Sequence, residues 1–165
     1  MTRARSTLAL LSLTLMLATC KGTSPAAPTP AASLTPVAAA LALSLSPDPI
    51  VAAENDDPEA PFRADWVVTI TATGAGGTVS FVNATLRDAE SGALPEPRGT
   101  LSLADTGIVA QVGSNHIAAG GSLRVAQGLA YALPSNNRRA TLVVTVQVID
   151  DLGNLVSGSV GTTVQ

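Results

Sequence analysis

Apolar and polar residues alternate with a period of two through much of the chain after residue 40. The pattern is clearest near the end, where Leu142, Val144 and Val146 alternate with threonine, valine and glutamine, and it resumes over residues 156–164. Such alternation is typical of strands with one buried and one solvated face. Residues 150–154 form a turn sequence between the two runs, so we predict a C-terminal β-hairpin.

Further strands are predicted upstream of this hairpin. Their phase places Trp66 and Tyr131 on apolar faces, so we expect both side chains in the core. The phase is irregular around Phe81 and Val82, which predicts a β-bulge or a local twist of the strand. Sequences rich in Gly, Asp or Asn separate the runs, and no later segment keeps a helical period with caps. The predicted strands cover residues 41–46, 66–73, 79–87, 100–104, 108–112 and 122–132.

About seven to nine short strands in one domain predict an all-β fold, an antiparallel two-sheet sandwich. The segments LSLSPDP, VTITATGAGG and VQVIDDLGNLVS resemble parts of the immunoglobulin-like domains of bacterial surface proteins. The resemblance implies an immunoglobulin-like sandwich over residues 41–165 and implies no activity. The disulfide of antibody domains cannot form, because Cys20 is the single cysteine.

The first 19 residues have the composition of a secretory signal. Arg3 and Arg5 precede an uncharged, leucine-rich stretch over residues 6–19. This stretch is shorter than the about 20 residues that a membrane-spanning helix needs.

The signal ends in Leu17, Ala18, Thr19 and Cys20, which resembles the lipobox of bacterial lipoproteins. The resemblance implies lipidation of the Cys20 thiol and cleavage before it. Thr19 departs from the glycine, alanine or serine that this family prefers. Two alternatives are an ordinary signal peptide with an incidental cysteine and a cytosolic start with an apolar helix. Residues 20–40 contain four prolines and read as a semi-extended tether behind the lipid anchor.

Composition and charge restrict the function classes. The net charge is −3, and without Arg3 and Arg5 it becomes −5, which argues against nucleic acid as a partner. Aromatic residues make up only 2% of the chain, which disfavours a base-stacking or sugar-stacking surface. A single cysteine and a single histidine leave no ligand set for a structural zinc site. We expect no cofactor.

Carboxylates form two candidate Ca²⁺ sites, because hard oxygen donors suit this ion. The first loop carries Glu54, Asp56, Asp57 and Glu59, and its spacing does not fit an EF-hand. We interpret it as a solvated acidic loop. Asp150 and Asp151 form the second candidate, and we interpret them as turn residues whose side chains bind their own backbone.

His116 and the Arg138–Arg139 pair are the remaining candidates. We predict His116 in a loop without a catalytic role, since no nucleophile motif accompanies it. Arg138 and Arg139 could contact an acidic partner, although a solvated strand edge is the simpler interpretation.

These observations predict a non-catalytic cell-envelope lipoprotein. The membrane partner would be reached through Cys20, and the sandwich would bind an envelope protein or serve a structural role. In some bacteria of the lipoprotein family that this signal resembles, an aspartate directly after the cysteine is associated with retention in the inner membrane. The resemblance, with Lys21 at that position, therefore implies the outer membrane, or a periplasmic or surface face, if the cell has two membranes. The alternative is a carbohydrate- or Ca²⁺-binding envelope module, and a hydrolase is a remote alternative.

Overall fold

Nine β-strands and one helix make up the part of the chain that the computed structural model describes, residues 37–95, 99–134 and 138–165. The predicted signal, the lipobox and Cys20 lie outside the described residues. The elements are β1 (Ala40–Ser46), β2 (Ala53–Glu54), β3 (Phe62–Thr73), β4 (Gly77–Asp88), β5 (Thr100–Ala104), α1 (Asp105–Val112), β6 (His116–Ile117), β7 (Ser122–Tyr131), β8 (Ala140–Asp150) and β9 (Leu155–Val164).

The strands form two antiparallel sheets. In the first sheet β3 is central, with β7 along one side and β1 and β2 along successive parts of the other. In the second sheet β4 pairs with β8 on one side and with β5 and β6 on the other, and β9 follows β8. This arrangement confirms the fold class predicted from the sequence, an all-β antiparallel sandwich of two sheets.

The first strand segment contributes to both sheets. β1 pairs with β3, and the chain then passes through Pro47 and Pro49, which cannot continue a strand ladder. Ile50 then pairs in parallel with Val164 at the end of β9. Its N–H donates to Thr163 O at 3.0 Å, and Gln165 N–H donates to Ile50 O at 2.9 Å. This side of the sandwich is therefore closed by a continuous stretch of chain.

The inward faces of the sheets form one apolar core. Trp66 is 2% exposed and Tyr131 is fully buried, so both core predictions are confirmed. The predicted inward series of β8 is likewise buried. The largest fully buried aliphatic side chains are Ile50, Ile70, Leu86, Ile108 and Leu142.

One predicted strand is wrong. Residues 108–112 lie in helix α1, whose end is capped by Gly113 at φ 81° with its N–H donating to Val109 O. The period of a short apolar run is consistent with either a strand or a buried helical turn. Here Gly113, in the left-handed conformation, caps the end of a helix. Ile108 is the buried residue of this helix.

The bulge predicted near Phe81 is confirmed, because the β4–β8 register shifts between Val79 and Phe81. Ser80, at this irregularity, donates its hydroxyl to Gln147 O at 3.2 Å. Within the described ranges, no helix has the length and apolar character needed to cross a membrane.

Candidate functional site

The candidate site lies on the side of the sandwich where β5 and β7 form the sheet edges. Helix α1 packs against both strands there, with Ile108 buried beneath it. A groove of about 410 Å³ runs between them, and we call it the edge groove. Its walls are Leu101, Leu103, Gly107, Ala110, Gln111 and residues 126–128.

Trp66 and Gln127 form a buried polar pair behind this groove. They are register partners on β3 and β7, and the indole N–H donates to Gln127 Oε1 at 3.1 Å. An indole nitrogen can only donate, so this bond fixes which end of the amide faces Trp66. Gln127 is 8% exposed, and its Nε2 has no hydrogen-bond partner among the described residues. A buried amide donor without an acceptor costs about 1–3 kcal/mol.

Sequence reasoning missed Gln127, although a signal was present. Gln127 stands in the inward phase of β7, between Val125 and Leu129, where every other position is apolar. A polar residue in that phase indicates a buried side chain that needs a partner.

The outer edge of β7 is held at one point by α1. Gln111 Nε2 donates to Ala126 O at 2.6 Å, so the Ala126 carbonyl points away from β3. Along an antiparallel strand, backbone groups alternate in direction. The N–H and C=O groups of Gly128 and Ala130 therefore also point away from β3. Of the described strands, β3 is the one that pairs with β7.

A second groove, the outer groove, continues onto the outward face of the first sheet and has a volume of about 440 Å³. It shares Gln111 and residues 126–128 with the edge groove. Arg63 and Asp65 lie on its floor and form an ion pair at 2.8 Å between Nη2 and Oδ1. This hydrogen bond, with the adjacent negative charge, raises the pKa of Arg63 above its ordinary value.

The acidic loop is exposed at every predicted ligand, Glu54, Asp56, Asp57 and Glu59. Asp57 Oδ1 accepts the Glu59 N–H at 2.9 Å, which is a local turn contact. Across the ranges that the structure describes, no three His, Cys, Asp or Glu side chains come together as a metal-binding group. The Ca²⁺ interpretation therefore gains no support from the geometry.

Asp150 organises the β8–β9 turn, which confirms its interpretation as a turn residue. Its Oδ1 accepts the N–H groups of Leu152 at 3.0 Å and Asn154 at 2.7 Å. The Asn154 side-chain amide also donates to both carboxylate oxygens, and Ala39 N–H donates to Oδ2 at 3.3 Å. The bond from the Asn154 side chain is the largest of several that lower the pKa of Asp150.

His116 lies in β6, so its predicted position in a loop is wrong. The two-residue strand forms because residues 116 and 117 reach the outer side of β4 and pair with Gly77 and Thr78. His116 Nε2 lies 3.1 Å from Asp151 Oδ1, and both side chains are about half exposed. Sequence reasoning could not predict this pair, because 35 residues separate its members.

Arg138 and Arg139 are exposed and lie near the end of β9. They line a cleft of about 320 Å³ with Val51 and Gln165. The Arg138 carbonyl accepts the Tyr131 hydroxyl at 2.9 Å. Burial raises the pKa of Tyr131 to about 12. Because Trp66 and Tyr131 are both buried, they do not form the exposed aromatic patch that a sugar-binding module would use.

Similar folds occur among solved structures. The chain is 17% identical to the ApaA protein of Bordetella pertussis, with 76% of this chain and 92% of that chain covered and a TM-score of 0.55. It is 11% identical to the structural genomics target SoR45, with 76% and 84% covered and a TM-score of 0.51. Identities this low show a shared fold alone. No protein-family model and no curated protein matches the chain.

Proposed function

We propose that the protein is a cell-envelope lipoprotein, anchored through a lipidated Cys20, whose sandwich is a non-catalytic interaction domain. The lipobox-like run from Leu17 to Cys20 supports the anchor. Two or three acyl chains would hold such a protein firmly to a membrane, at about 0.8 kcal/mol for each buried CH₂. A proline-rich tether before β1 would keep the domain away from the lipid surface.

The observation that carries the interaction role is the outer edge of β7. Backbone groups of Gly128 and Ala130 face outward there, next to an apolar groove and a buried amide donor that has no partner in the part of the chain that the structure describes. Unpaired strand edges are surfaces on which proteins recognise one another. The sandwich holds this edge rigidly, because β7 is paired with β3 over ten register positions.

The anchor is tested by changing Cys20 alone. Wild-type protein should fractionate with membranes and incorporate a labelled fatty acid, and Cys20→Ser should lose the label. A serine substitution at Thr19 should retain the label, because serine is a preferred residue directly before the lipidated cysteine. A wild-type protein that is processed, unlabelled and soluble would contradict the anchor.

The interaction role is tested by crosslinking the tagged, lipidated protein in cells, followed by mass spectrometry. We expect a reproducible envelope partner that persists when the tether is shortened. Crosslinks spread only over abundant envelope neighbours would contradict a dedicated partner.

A further inference from the structure

We infer that the edge groove binds an extended peptide segment of a partner protein, which adds as a strand to the outer edge of β7. The inference rests on the proposed function, because it names the kind of segment that the interaction domain would bind. Three independent features of the groove point to a peptide backbone as the occupant.

The first feature is the backbone of β7 itself. Gly128 and Ala130 present N–H and C=O groups outward at alternate residues, the spacing at which an extended chain offers complementary groups. Gln111 already donates a primary amide to the neighbouring Ala126 carbonyl at 2.6 Å. An amide N–H group therefore already donates a hydrogen bond to this edge of β7.

The second feature is the Gln127 side chain. Its Oε1 is occupied by the Trp66 indole, and its Nε2 donors have no acceptor among the described residues. The position is more than nine-tenths buried and borders the edge groove. Donors in this place require an oxygen acceptor, and a peptide carbonyl supplies one in each residue.

The third feature is the lining of the groove. Leu101 and Leu103 of β5 face inward and are half-buried, and Ala110 of α1 lies beside them. These side chains suit the apolar residues that an extended peptide points to one side at every second position. The nearby Arg63 and Asp65 neutralise each other, so the site does not select a strongly charged segment.

The position of α1 favours a single extended segment over a second copy as the occupant. A β7-to-β7 contact between two molecules would bring two helices together at the same edge. A single extended segment can instead enter between α1, β5 and β7. The helix is only eight residues long and is anchored by Ile108, and Gly128 still lines the edge groove beside it.

To test this, a display library of linear peptides without tryptophan is selected for binding to the full lipidated chain in detergent. Affinity is then measured from the fluorescence of Trp66, the single tryptophan. We expect Gln127→Glu, which keeps an acceptor for the indole but removes the amide donor, to weaken binding about tenfold. Ile149→Lys, on the exposed outward face of β8, is the matched control and should leave the affinity unchanged.

A series of N-methylated peptides tests strand addition to β7 without any protein variant. Strand addition uses the N–H groups of alternate peptide residues. N-methylation of the peptide residues whose N–H groups face β7 should therefore abolish binding. N-methylation of the residues between them should be tolerated. On binding, the Gly128 and Ala130 amides should also gain protection from hydrogen exchange.

Two results would overturn the inference: failure of any linear peptide to bind the wild-type chain, or binding that ignores the parity of methylation. If crosslinking in cells still finds a dedicated partner, the proposed interaction role stands and only the peptide site is lost. Peptide binding without any cellular partner would instead remove the proposed role.

Discussion

Asp65 and Gly128 are register partners on β3 and β7, and the Asp65 carboxylate lies where a side chain at Gly128 would begin. A Cβ at Gly128 would stand 2.0 Å from Asp65 Oδ1 and 2.8 Å from Arg63 Nη2. The glycine therefore makes room for the Arg63–Asp65 ion pair to lie across β7.

We expect Gly128→Ala to displace the Asp65 carboxylate and break this ion pair. The pair is exposed, and such pairs contribute about 0.2–1 kcal/mol, so the loss of stability should not exceed about 1 kcal/mol. Urea unfolding followed by Trp66 fluorescence measures it. In an Asp65→Ala background the same glycine substitution should cost nothing further. An equal cost in both backgrounds would show that the clash involves something other than Asp65.

Ile108 should prove to be the residue that holds α1 in place. Ile108→Ala removes a fully buried side chain, so we expect a loss of about 2–4 kcal/mol in the free energy of unfolding. Val109→Ala is the matched control, since Val109 is 41% exposed, and it should change stability by less than about 0.5 kcal/mol. Similar costs for the two variants would contradict the anchoring role of Ile108.

Asp150 should make stability depend on acid pH. Its hydrogen bonds lower its pKa below the ordinary value of 3.8, so its contribution is complete above that pH. The contribution is lost as the pH falls through the lowered pKa, because the folded protein must then protonate a carboxylate that its turn holds ionised. Thermal unfolding between neutral and strongly acid pH should show this loss.

The matched variants are Asp150→Ala and Asp56→Ala, the latter in the exposed acidic loop. Asp150→Ala should be less stable at neutral pH and should flatten the acid limb of the stability curve. Asp56→Ala should leave that limb intact. An unchanged limb in Asp150→Ala would assign the acid sensitivity to other groups.

Tyr131 should produce the opposite dependence at alkaline pH. Burial raises its pKa to about 12 from an ordinary value of 10.0. The unfolded chain thus loses this proton first, and stability falls as the pH rises above 10. Because Tyr131 is the single tyrosine, its phenolate absorbance follows the titration directly. A transition at the ordinary value in the folded protein would contradict the burial.

Tyr131→Phe tests the hydrogen bond to the Arg138 carbonyl separately. Its loss should cost about 0.5–1.5 kcal/mol at neutral pH and should remove the decline between pH 10 and 12. Phe62, whose ring centre lies 5.9 Å from that of Tyr131, provides the control. Phe62→Leu should lower stability and leave the alkaline decline in place.

Period-two alternation was a sufficient signal for the long strands. Trp66 and Tyr131 lie in the core as predicted, because inward phase and burial coincide wherever one face of a sheet is solvated. The hydrophobic pattern did not predict helix α1, because Ile108 is its single buried residue and one buried residue shows no helical period.

The candidate site was less accessible to sequence reasoning than the fold. The Trp66–Gln127 bond joins residues 61 positions apart, and the Gln111–Ala126 bond depends on where a short helix docks. Such contacts arise from tertiary packing, which alternation in a single strand does not specify. The turn role of Asp150 was predictable because its partners, Leu152 and Asn154, are local in the chain.

The first strand segment pairs with β3 and then with β9, and this pairing affects how the domain unfolds. Residues 40–46 are held by one sheet, and Ile50 is held by the other within a few residues. The sheets cannot separate without tearing this segment from one of them. We therefore expect both halves of the sandwich to unfold together in a single cooperative transition, in which probes placed on either sheet report the same midpoint.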